Sequence, residues 1–291
     1  MACLASALPA QSSRPLERHE VRVEGHPLTV WSKRPTSPPR GSILLVHGRT
    51  WSARPNFDLH VPGSRDNASL MDALVARGYA AYALDQRGYG ATPRDRTGWL
   101  TPDRAERDVS AVLDWMRRQE AGGAPVLLGY SRGSQVAMLV AQRHPEKLAG
   151  LVLYGYPDPG ANAPVTSDPA APLRQRTTAA GAGEDFISPN VTPRGVKAAY
   201  VRMATTTDSI RADWKDERQF QAIDPSKVRV PTLLLDGERD PYANASNHPA
   251  FFPRLGTADR WWVVLPGADH AAHLELQHAF VNALVAFMER R

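Results

Sequence analysis

The hydrophobic pattern of the chain alternates between short apolar runs and longer amphipathic stretches. Several of the short runs, such as Ile43–Val46 and Thr232–Leu235, are apolar or β-branched without interruption. Continuous runs of this kind are typical of parallel strands that helices cover on both faces. The predicted strands are His19–Glu24, Leu28–Ser32, Ser42–His47, Tyr79–Asp85, Val126–Tyr130, Leu151–Tyr154, Thr232–Asp236 and Trp261–Leu265.

Helical patterns fall between these runs. One of them has a clear start, because Thr101 is a good N-cap and Pro102 suits the first helical position. The predicted helices are Ser69–Arg77, Thr101–Glu120, Ser134–Arg143 and Ala271–Arg291. Because crossovers between parallel strands are right-handed, the alternation predicts a three-layer α/β/α sandwich with a mostly parallel eight-stranded sheet.

Residues 157–229 break this alternation and are too long for an ordinary connection. The stretch opens with a loop rich in Pro, Ala and Gly and continues with helical patterns at Gly195–Ala204 and Asp208–Phe220. Its candidate apolar anchors are Phe186, Tyr200, Trp214 and Phe220. These aromatic residues favour a small helical cap over a disordered spacer. We therefore predict a core of residues 19–156 and 230–291 with a cap insertion at 157–229.

Residues 1–18 precede the first predicted strand. Their small and apolar residues, with Ala5–Ala7 as a candidate cleavage site, are typical of the end of an export signal, but a basic start is missing. A truncated signal peptide and a disordered leader are the two alternatives. We favour an exported, periplasmic location over the cytoplasm. The single cysteine, Cys3, excludes intrachain disulfides.

Composition narrows the choice of partners. With 291 residues and 42% hydrophobic content, the chain can bury one large core with a modest insertion. The net charge is +5, but the basic residues are scattered singly, which argues against a nucleic-acid partner. No apolar stretch approaches the roughly 20 residues of a membrane helix, so we expect no stable membrane insertion. The sequence gives no basis for assigning an oligomeric state.

The most informative motif is Gly129-Tyr130-Ser131-Arg132-Gly133, between a predicted strand and a predicted helix. It has the G-x-S-x-G pattern, in which a very tight turn projects the serine hydroxyl away from its own backbone. The strand and the helix then pass so close that little besides glycine fits two positions before and after the serine. Ser131 is therefore a candidate nucleophile.

A nucleophilic serine needs a base, and the base needs an orienting acid. Asp240 follows one predicted strand and His270 follows the last, so the chain order is Ser131, Asp240, His270. Two other aspartates are alternatives for the acid that orients the base. Asp236 occupies the last position of its strand, and Asp158 follows the preceding strand. We prefer Asp240, because its place in a loop gives it room to reach inward.

Two further turns, His47-Gly48-Arg49 and Asp85-Gln86-Arg87-Gly88-Tyr89-Gly90, complete a resemblance. From His19 to Arg291, except for the cap, the chain resembles the α/β-hydrolase fold superfamily in its serine-nucleophile, esterase- and lipase-like branch. The resemblance implies a triad of Ser131, Asp240 and His270. It also implies an oxyanion hole formed by the backbone N–H groups of Arg49 and Arg132, and a structural role for Arg87.

Aromatic residues near the strand ends are candidates for a substrate pocket, with plain packing as an equal alternative. They are Trp51, Phe57, Trp99 and, from the cap, Trp214. Ordinary surface roles suffice for His144, His273 and His278. His270 with Asp269 and His273 lacks a further carboxylate or cysteine cluster, so we expect no metal and no other cofactor.

The expected function is hydrolysis of a small-molecule carboxylic ester through an acyl-enzyme. The resemblance leaves open a cofactor-free perhydrolase, an acyltransferase and an amide or lactone hydrolase on the same triad. Serine at the turn argues against dehalogenases and epoxide hydrolases of this family, which use aspartate there. A non-catalytic ligand-binding protein of this fold is disfavoured, because such proteins commonly lose a triad member and this chain retains all three.

Overall fold

The computed structural model of the protein describes residues 14–63, 68–120, 123–157, 168–188, 190–243 and 248–291. Most of the predicted leader, including Cys3 and the candidate cleavage site, lies outside these ranges. Asp158, the alternative acid at the start of the predicted cap, lies outside them as well.

One eight-stranded sheet forms the centre of the fold. Its strands are β1 (Glu17–Val23), β2 (His26–Lys33), β3 (Ser42–Val46), β4 (Ala80–Asp85), β5 (Val126–Tyr130), β6 (Gly150–Tyr154), β7 (Thr232–Gly237) and β8 (Arg260–Leu265). They lie in the order β1-β2-β4-β3-β5-β6-β7-β8. Strand β2 is antiparallel to β1 and β4, and all other neighbours are parallel. The predicted mostly parallel sheet is confirmed.

The α-helices are α1 (Ala53–Phe57), α2 (Leu70–Ala76), α3 (Pro102–Gln119), α4 (Arg132–Arg143), α5 (Ala179–Gly183), α6 (Val196–Thr207), α7 (His248–Phe251), α8 (Ala272–Glu275) and α9 (Gln277–Met288). The single helix predicted over Ala271–Arg291 is two helices, because Leu276 leaves the helical region with φ −122° and ψ 47°. Among the described residues, none of these helices combines the length and apolarity needed to cross a bilayer.

Apolar residues pack against both faces of the sheet, which accounts for the continuous apolar strands. On β3, Leu44 belongs to the cluster that contains Val109 of α3, whereas Leu45 belongs to the cluster that contains Leu284 of α9. Successive side chains of a strand point to opposite faces, so each strand contributes to both clusters. The α/β/α sandwich predicted from the sequence is present.

The predicted helix over Asp208–Phe220 is wrong. Asp213–Trp214 is instead a short strand parallel to Trp99–Leu100, and Glu217–Ala222 forms a 3₁₀-helix. Asp208 ends α6, and its carboxylate accepts hydrogen bonds from the backbone N–H and the hydroxyl of Ser52, at 2.9 and 2.7 Å. This segment is therefore fixed by contacts with the core, which override its local helical pattern.

Arg87 connects the turn after β4 to α3. Its Nε and Nη2 atoms donate to both carboxylate oxygens of Asp108, at 2.5 and 2.7 Å, and both side chains are buried. Paired N–H donors of a guanidinium match the geometry of a carboxylate. The structural role expected of Arg87 agrees with these contacts.

We predict that Arg87→Ala lowers the free energy of unfolding by about 3–5 kcal/mol, because it leaves the Asp108 carboxylate buried without its partner. Arg40→Ala is a matched control, since Arg40 pairs with Glu289 at the surface. An exposed pair of this kind contributes about 1 kcal/mol or less. Urea denaturation measures both values, and equal effects of the two substitutions would contradict the structural role of Arg87.

Candidate active site

Ser131 lies in the turn between β5 and α4, and its backbone is strained. Its φ of 53° and ψ of −122° are values that non-glycine residues rarely adopt. The Ser131 N–H donates to the carbonyl of Tyr154 on β6 at 2.8 Å, which ties the turn to the sheet. The turn predicted from the G-x-S-x-G motif is therefore formed, and Ser131 remains partly exposed.

The glycines of the motif allow the turn to be this tight. A Cβ atom at Gly129 would collide with the backbone of Gly133. A Cβ atom at Gly133 would collide with the carbonyl oxygens of Val46 and His47 at the end of β3. Two neighbouring strand ends therefore meet α4 with no room for side chains at these positions.

His270 and Asp240 form a buried pair in the loops after β8 and β7. The Nδ1 atom of His270 lies 2.7 Å from Oδ2 of Asp240. The other carboxylate oxygen accepts the N–H groups of Tyr242 and Ala243, at 2.9 and 3.1 Å. Because ionised Asp240 only accepts hydrogen bonds, this contact holds the proton of a neutral imidazole on Nδ1 and leaves Nε2 available as a base.

Burial and charge act in opposite directions on this pair. Burial alone would lower the pKa of His270, but the hydrogen bond and charge of Asp240, with smaller effects of Asp185 and Asp269, raise it above its ordinary value. Burial alone would raise the pKa of Asp240, but its hydrogen bonds and the charge of His270 lower it. The pair therefore stabilises an imidazolium beside an ionised carboxylate.

Ser131 and His270 line the same cavity, which has a volume of about 510 Å³. The His270 ring lies between two tyrosine rings, with centroid distances of 4.9 Å to both Tyr130 and Tyr242. These contacts and the hydrogen bond to Asp240 fix the orientation of the imidazole. The predicted nucleophile, base and acid are thus brought to one site.

The two predicted oxyanion donors are adjacent to Ser131. A Cβ atom at Gly48 would lie 3.1 Å from Cβ of Ser131, so the turn that contains Arg49 packs directly against the serine. Arg132 is the first residue of α4, where backbone N–H groups have no partner within the helix. Neither of the two amides donates a hydrogen bond to another residue of the described ranges. Both are therefore free to bind an anionic oxygen.

A relay of hydrogen bonds holds the Arg49 turn in place. The indole N–H of Trp214 donates to the hydroxyl oxygen of Tyr89 at 2.7 Å, and the Tyr89 hydroxyl donates to the carbonyl of Arg49. In addition, the N–H of Gln86 donates to Nε2 of His47 at 3.1 Å. Burial lowers the pKa of His47 to about 4, so this imidazole is neutral and accepts the bond.

The structure corrects three of the four predicted pocket residues. Trp51 lines the cavity, although most of its surface is buried. Phe57 is fully buried in the core, and Trp99 lies beside the short strand at Asp213 with Lys215 over its ring. Trp214 packs in the core as well. Position near a strand end did not distinguish these packing residues from those that face the cavity.

The alternative acid Asp236 has a different partner. Its Oδ2 atom lies 2.9 Å from Nδ1 of His248 and accepts the indole N–H of Trp262 at 3.0 Å. It is therefore part of a second buried Asp–His pair and does not contact His270. The surface role expected of His273 is wrong, because His273 is buried against the Tyr154 hydroxyl and its pKa is lowered to about 3 by burial.

His144 and His278 do lie at the surface. His144 is about a third exposed, and its Nε2 atom lies 3.1 Å from a carboxylate oxygen of Glu106. His278 is exposed and contacts Asn282. Both histidines are remote from the cavity lining.

Charged residues of the cavity were missed from the sequence. Besides Arg49 and Arg132, the cavity is lined by Arg176, Arg211, Glu184 and Asp185. These last four residues all belong to the segment predicted as a cap. No motif in this segment distinguishes one arginine from another. The Arg49 and Arg132 side chains form ion pairs with the same carboxylate oxygen of Glu217.

One group of potential metal ligands lies elsewhere. Suitable atoms of Asp58, His60 and Asp72 lie within 4.8 Å of one another. However, Nζ of Lys33 lies 2.5 Å from Asp58 and 2.6 Å from Asp72, so an ammonium group already lies between these two carboxylates. The group is best described as an ion-pair cluster, and it does not belong to the cavity lining.

The comparison with known families agrees with this geometry. A model described as "Alpha/beta hydrolase family" matches residues 43–284, which is most of the chain. The chain belongs to the alpha/beta hydrolase family. The resemblance inferred from the motifs is thus confirmed, together with the fold that it implied.

The chain has low sequence identity to individual relatives in this family. The chain is 26% identical over 282 residues to the sn-1-specific diacylglycerol lipase ABHD11 of Xenopus tropicalis, covering 87% of this chain and 79% of that protein. It is 26% identical over 267 residues to the 2-hydroxy-6-oxo-6-(2'-aminophenyl)hexa-2,4-dienoic acid hydrolase of Metapseudomonas resinovorans, covering 86% and 84%. A crystal structure of a serine hydrolase involved in carbazole degradation has a TM-score of 0.67 at 20% identity, covering 95% and 100%.

We predict that the pKa of His270 lies above the ordinary value of a histidine and that Asp240→Asn lowers it, because burial then acts without the carboxylate that opposes it most. Asp236→Asn is the matched control and should leave the pKa of His270 unchanged, since Asp236 pairs with His248. NMR of ¹⁵N-labelled histidine, with the signal assigned by His270→Asn, measures these values. An unchanged His270 pKa in Asp240→Asn would contradict the pairing.

Proposed function

We propose that the protein is a serine hydrolase that cleaves a carboxylic ester through a covalent acyl-enzyme. The observation that carries this proposal is the convergence of Ser131, the His270–Asp240 pair and two free backbone amides at one cavity. An acyl transfer needs a nucleophile, a base with a fixed tautomer and donors for the oxyanion, and each requirement has a candidate here.

In the proposed reaction, His270 Nε2 takes the proton of the Ser131 hydroxyl as Oγ attacks the ester carbonyl carbon. Asp240 holds the imidazole and stabilises the imidazolium that forms. The tetrahedral oxyanion accepts hydrogen bonds from the N–H groups of Arg49 and Arg132. His270 then gives its proton to the departing alcohol oxygen, and the acyl-enzyme remains.

Deacylation uses the same groups with water in place of the alcohol. His270 removes a proton from the water as its oxygen attacks the acyl carbon, and a second tetrahedral oxyanion occupies the same pair of amides. When this intermediate collapses, the proton returns from His270 to Ser131 and the carboxylic acid leaves. The formation and the collapse of each tetrahedral intermediate need one proton transfer at His270 apiece. No other titrating side chain is required.

The raised pKa of His270 is consistent with this role. A base whose pKa lies near the working pH is partly neutral and still basic enough to remove a proton in the transition state. The relatives support hydrolysis as a class, since one is named as a lipase and another as a hydrolase. Their names point to different substrates, so they do not select one for this chain.

The segment at 157–229 contributes to substrate selection in this proposal. Gln175, Thr178 and Asp185 of this segment line the cavity that contains Ser131. Its aromatic residues anchor it on the core, since Phe186 and Tyr200 pack in one cluster with Trp51. We therefore propose that this segment acts as a cap that shapes the acyl or alcohol site, while Ser131 and its partners come from the core.

We predict that Ser131→Ala reduces hydrolysis of p-nitrophenyl esters by about a thousandfold or more and abolishes labelling by a fluorophosphonate probe. The melting temperature should stay close to that of the unsubstituted protein, because only a partly exposed hydroxyl is removed. Ser226→Ala, at an exposed position of the 3₁₀-helix Pro225–Lys227 near the end of the cap segment, is the control and should retain both reactions. Substantial turnover by Ser131→Ala would contradict the mechanism.

A further inference from the structure

Four arginine residues line the cavity that contains Ser131, and the side chains of two of them, Arg176 and Arg211, have no partner among the described residues. We infer that the enzyme prefers esters that carry a carboxylate, held by Arg211 and Arg176 while Ser131 attacks the ester carbonyl. This inference names the substrate class of the proposed active site and rests on the proposed function.

The positions of Arg176 and Arg211 are set by a short antiparallel contact. Arg176 pairs with Ile210, and the N–H of Arg211 donates to the carbonyl of Gln175 at 2.8 Å. The guanidinium of Arg94 donates to the carbonyl of Arg211 from outside this contact. Both backbones are therefore held in place, so the two side chains extend from a defined part of the cavity wall.

Neither Arg176 nor Arg211 forms an ion pair or a side-chain hydrogen bond with any residue in the described ranges. Arg176 is exposed, whereas Arg211 is partly buried in the cavity wall. Several other partly buried arginines of this chain have carboxylate partners, such as Arg104 with Asp95 and Arg34 with Glu120. A partly buried guanidinium without a partner has several N–H donors to offer to a ligand.

The other two arginines increase the positive charge of the same cavity. Arg49 and Arg132 share one carboxylate, that of Glu217, so their charges are only half neutralised. Burial, with the nearby charge of Arg49, lowers the pKa of Arg132 to about 10. Like charges this close destabilise each other unless an anion lies between or beside them.

Among the described residues, the arginines that line the cavity outnumber the carboxylates beside them. Against the four arginines stand Glu217 and the two lining residues Glu184 and Asp185. The Asp185 carboxylate accepts a hydrogen bond from the Tyr200 hydroxyl at 3.4 Å, and burial raises the pKa of Asp185. Its charge also acts on His270. Asp185 therefore acts on the base, and Glu217 is paired with Arg49 and Arg132. No carboxylate within the described ranges forms an ion pair with Arg176 or Arg211.

A carboxylate fits this arrangement better than a long apolar chain does. The planar fork of an arginine binds the two oxygens of a carboxylate, and it does so most strongly away from bulk water. Binding energy from a group remote from the reacting bond can hold the ester carbonyl at the nucleophile and so increase kcat/KM. The neighbouring wall residues Gln175, Thr177 and Thr178 are polar as well.

The test compares charged and neutral esters of equal length. On the acyl side the pair is mono-p-nitrophenyl adipate and p-nitrophenyl hexanoate, and on the alcohol side it is 4-acetoxybenzoate and 4-acetoxybenzamide. In at least one pair, kcat/KM should be about tenfold or more higher for the charged ester. Arg211→Gln should remove most of this ratio, and Arg211→Lys should retain part of it.

Arg202→Gln is the matched control, because Arg202 is exposed on α6 and does not line the cavity. It changes the net charge equally and should leave the ratio unchanged. A ratio near one in both pairs would overturn the inference while leaving the proposed function intact. Equal loss of the ratio in Arg202→Gln and Arg211→Gln would also overturn it, since general charge would then explain the preference.

A binding measurement separates this inference from the proposed function. Calorimetry with monomethyl adipate and methyl hexanoate, carried out in the Ser131→Ala background with and without Arg211→Gln, reports affinity without turnover because the nucleophile is absent. Tighter binding of the adipate that is lost in Arg211→Gln supports the carboxylate site, even if no ester is hydrolysed. Equal affinity for both compounds overturns it. Absence of fluorophosphonate labelling at Ser131 would count against the proposed function alone.

Discussion

The tight turn at Ser131 is the constraint on which the site depends. Its positive φ costs on the order of 1–3 kcal/mol and persists only because the surrounding structure enforces it. Strand β5, helix α4 and the end of β3 approach so closely that Gly129 and Gly133 leave no space for a side chain. The same approach places Gly48 against Ser131 and the first free amide of α4 beside it. One local conformation thus sets the nucleophile and both candidate oxyanion donors.

The order of the strands supplies the remaining groups. The loops after β7 and β8 start at the carboxyl edge of the parallel sheet, the same edge at which Ser131 lies. Two Asp–His pairs form in this region. Asp240 orients His270 at the cavity, whereas Asp236 and His248 are buried together with Trp262. A four-residue difference along the chain separates an acid that orients the candidate base from one that stabilises packing.

Much of the fold and the central site could be predicted from the sequence, because both depend on local patterns. Continuous apolar runs located the strands, and the G-x-S-x-G motif located the turn at Ser131. The failures involve contacts between distant segments. Trp214 was expected in the pocket, yet its indole bonds to Tyr89, and its hydrophobicity alone could not reveal that partner. Likewise, Arg211 has no ion-pair partner among the described residues, and this depends on which carboxylates fold near it.

In the proposed mechanism, the backbone N–H groups of Arg49 and Arg132 bind the negative charge that develops at the reacting centre. The most direct measurement is a crystal structure of the protein after reaction with a fluorophosphonate, whose phosphonyl oxygen stands in for the oxyanion. We expect phosphorus bonded to Ser131 Oγ, with this oxygen about 2.7–3.1 Å from both amide nitrogens. An adduct on another side chain, or an oxygen that points away from both amides, would contradict this mechanism.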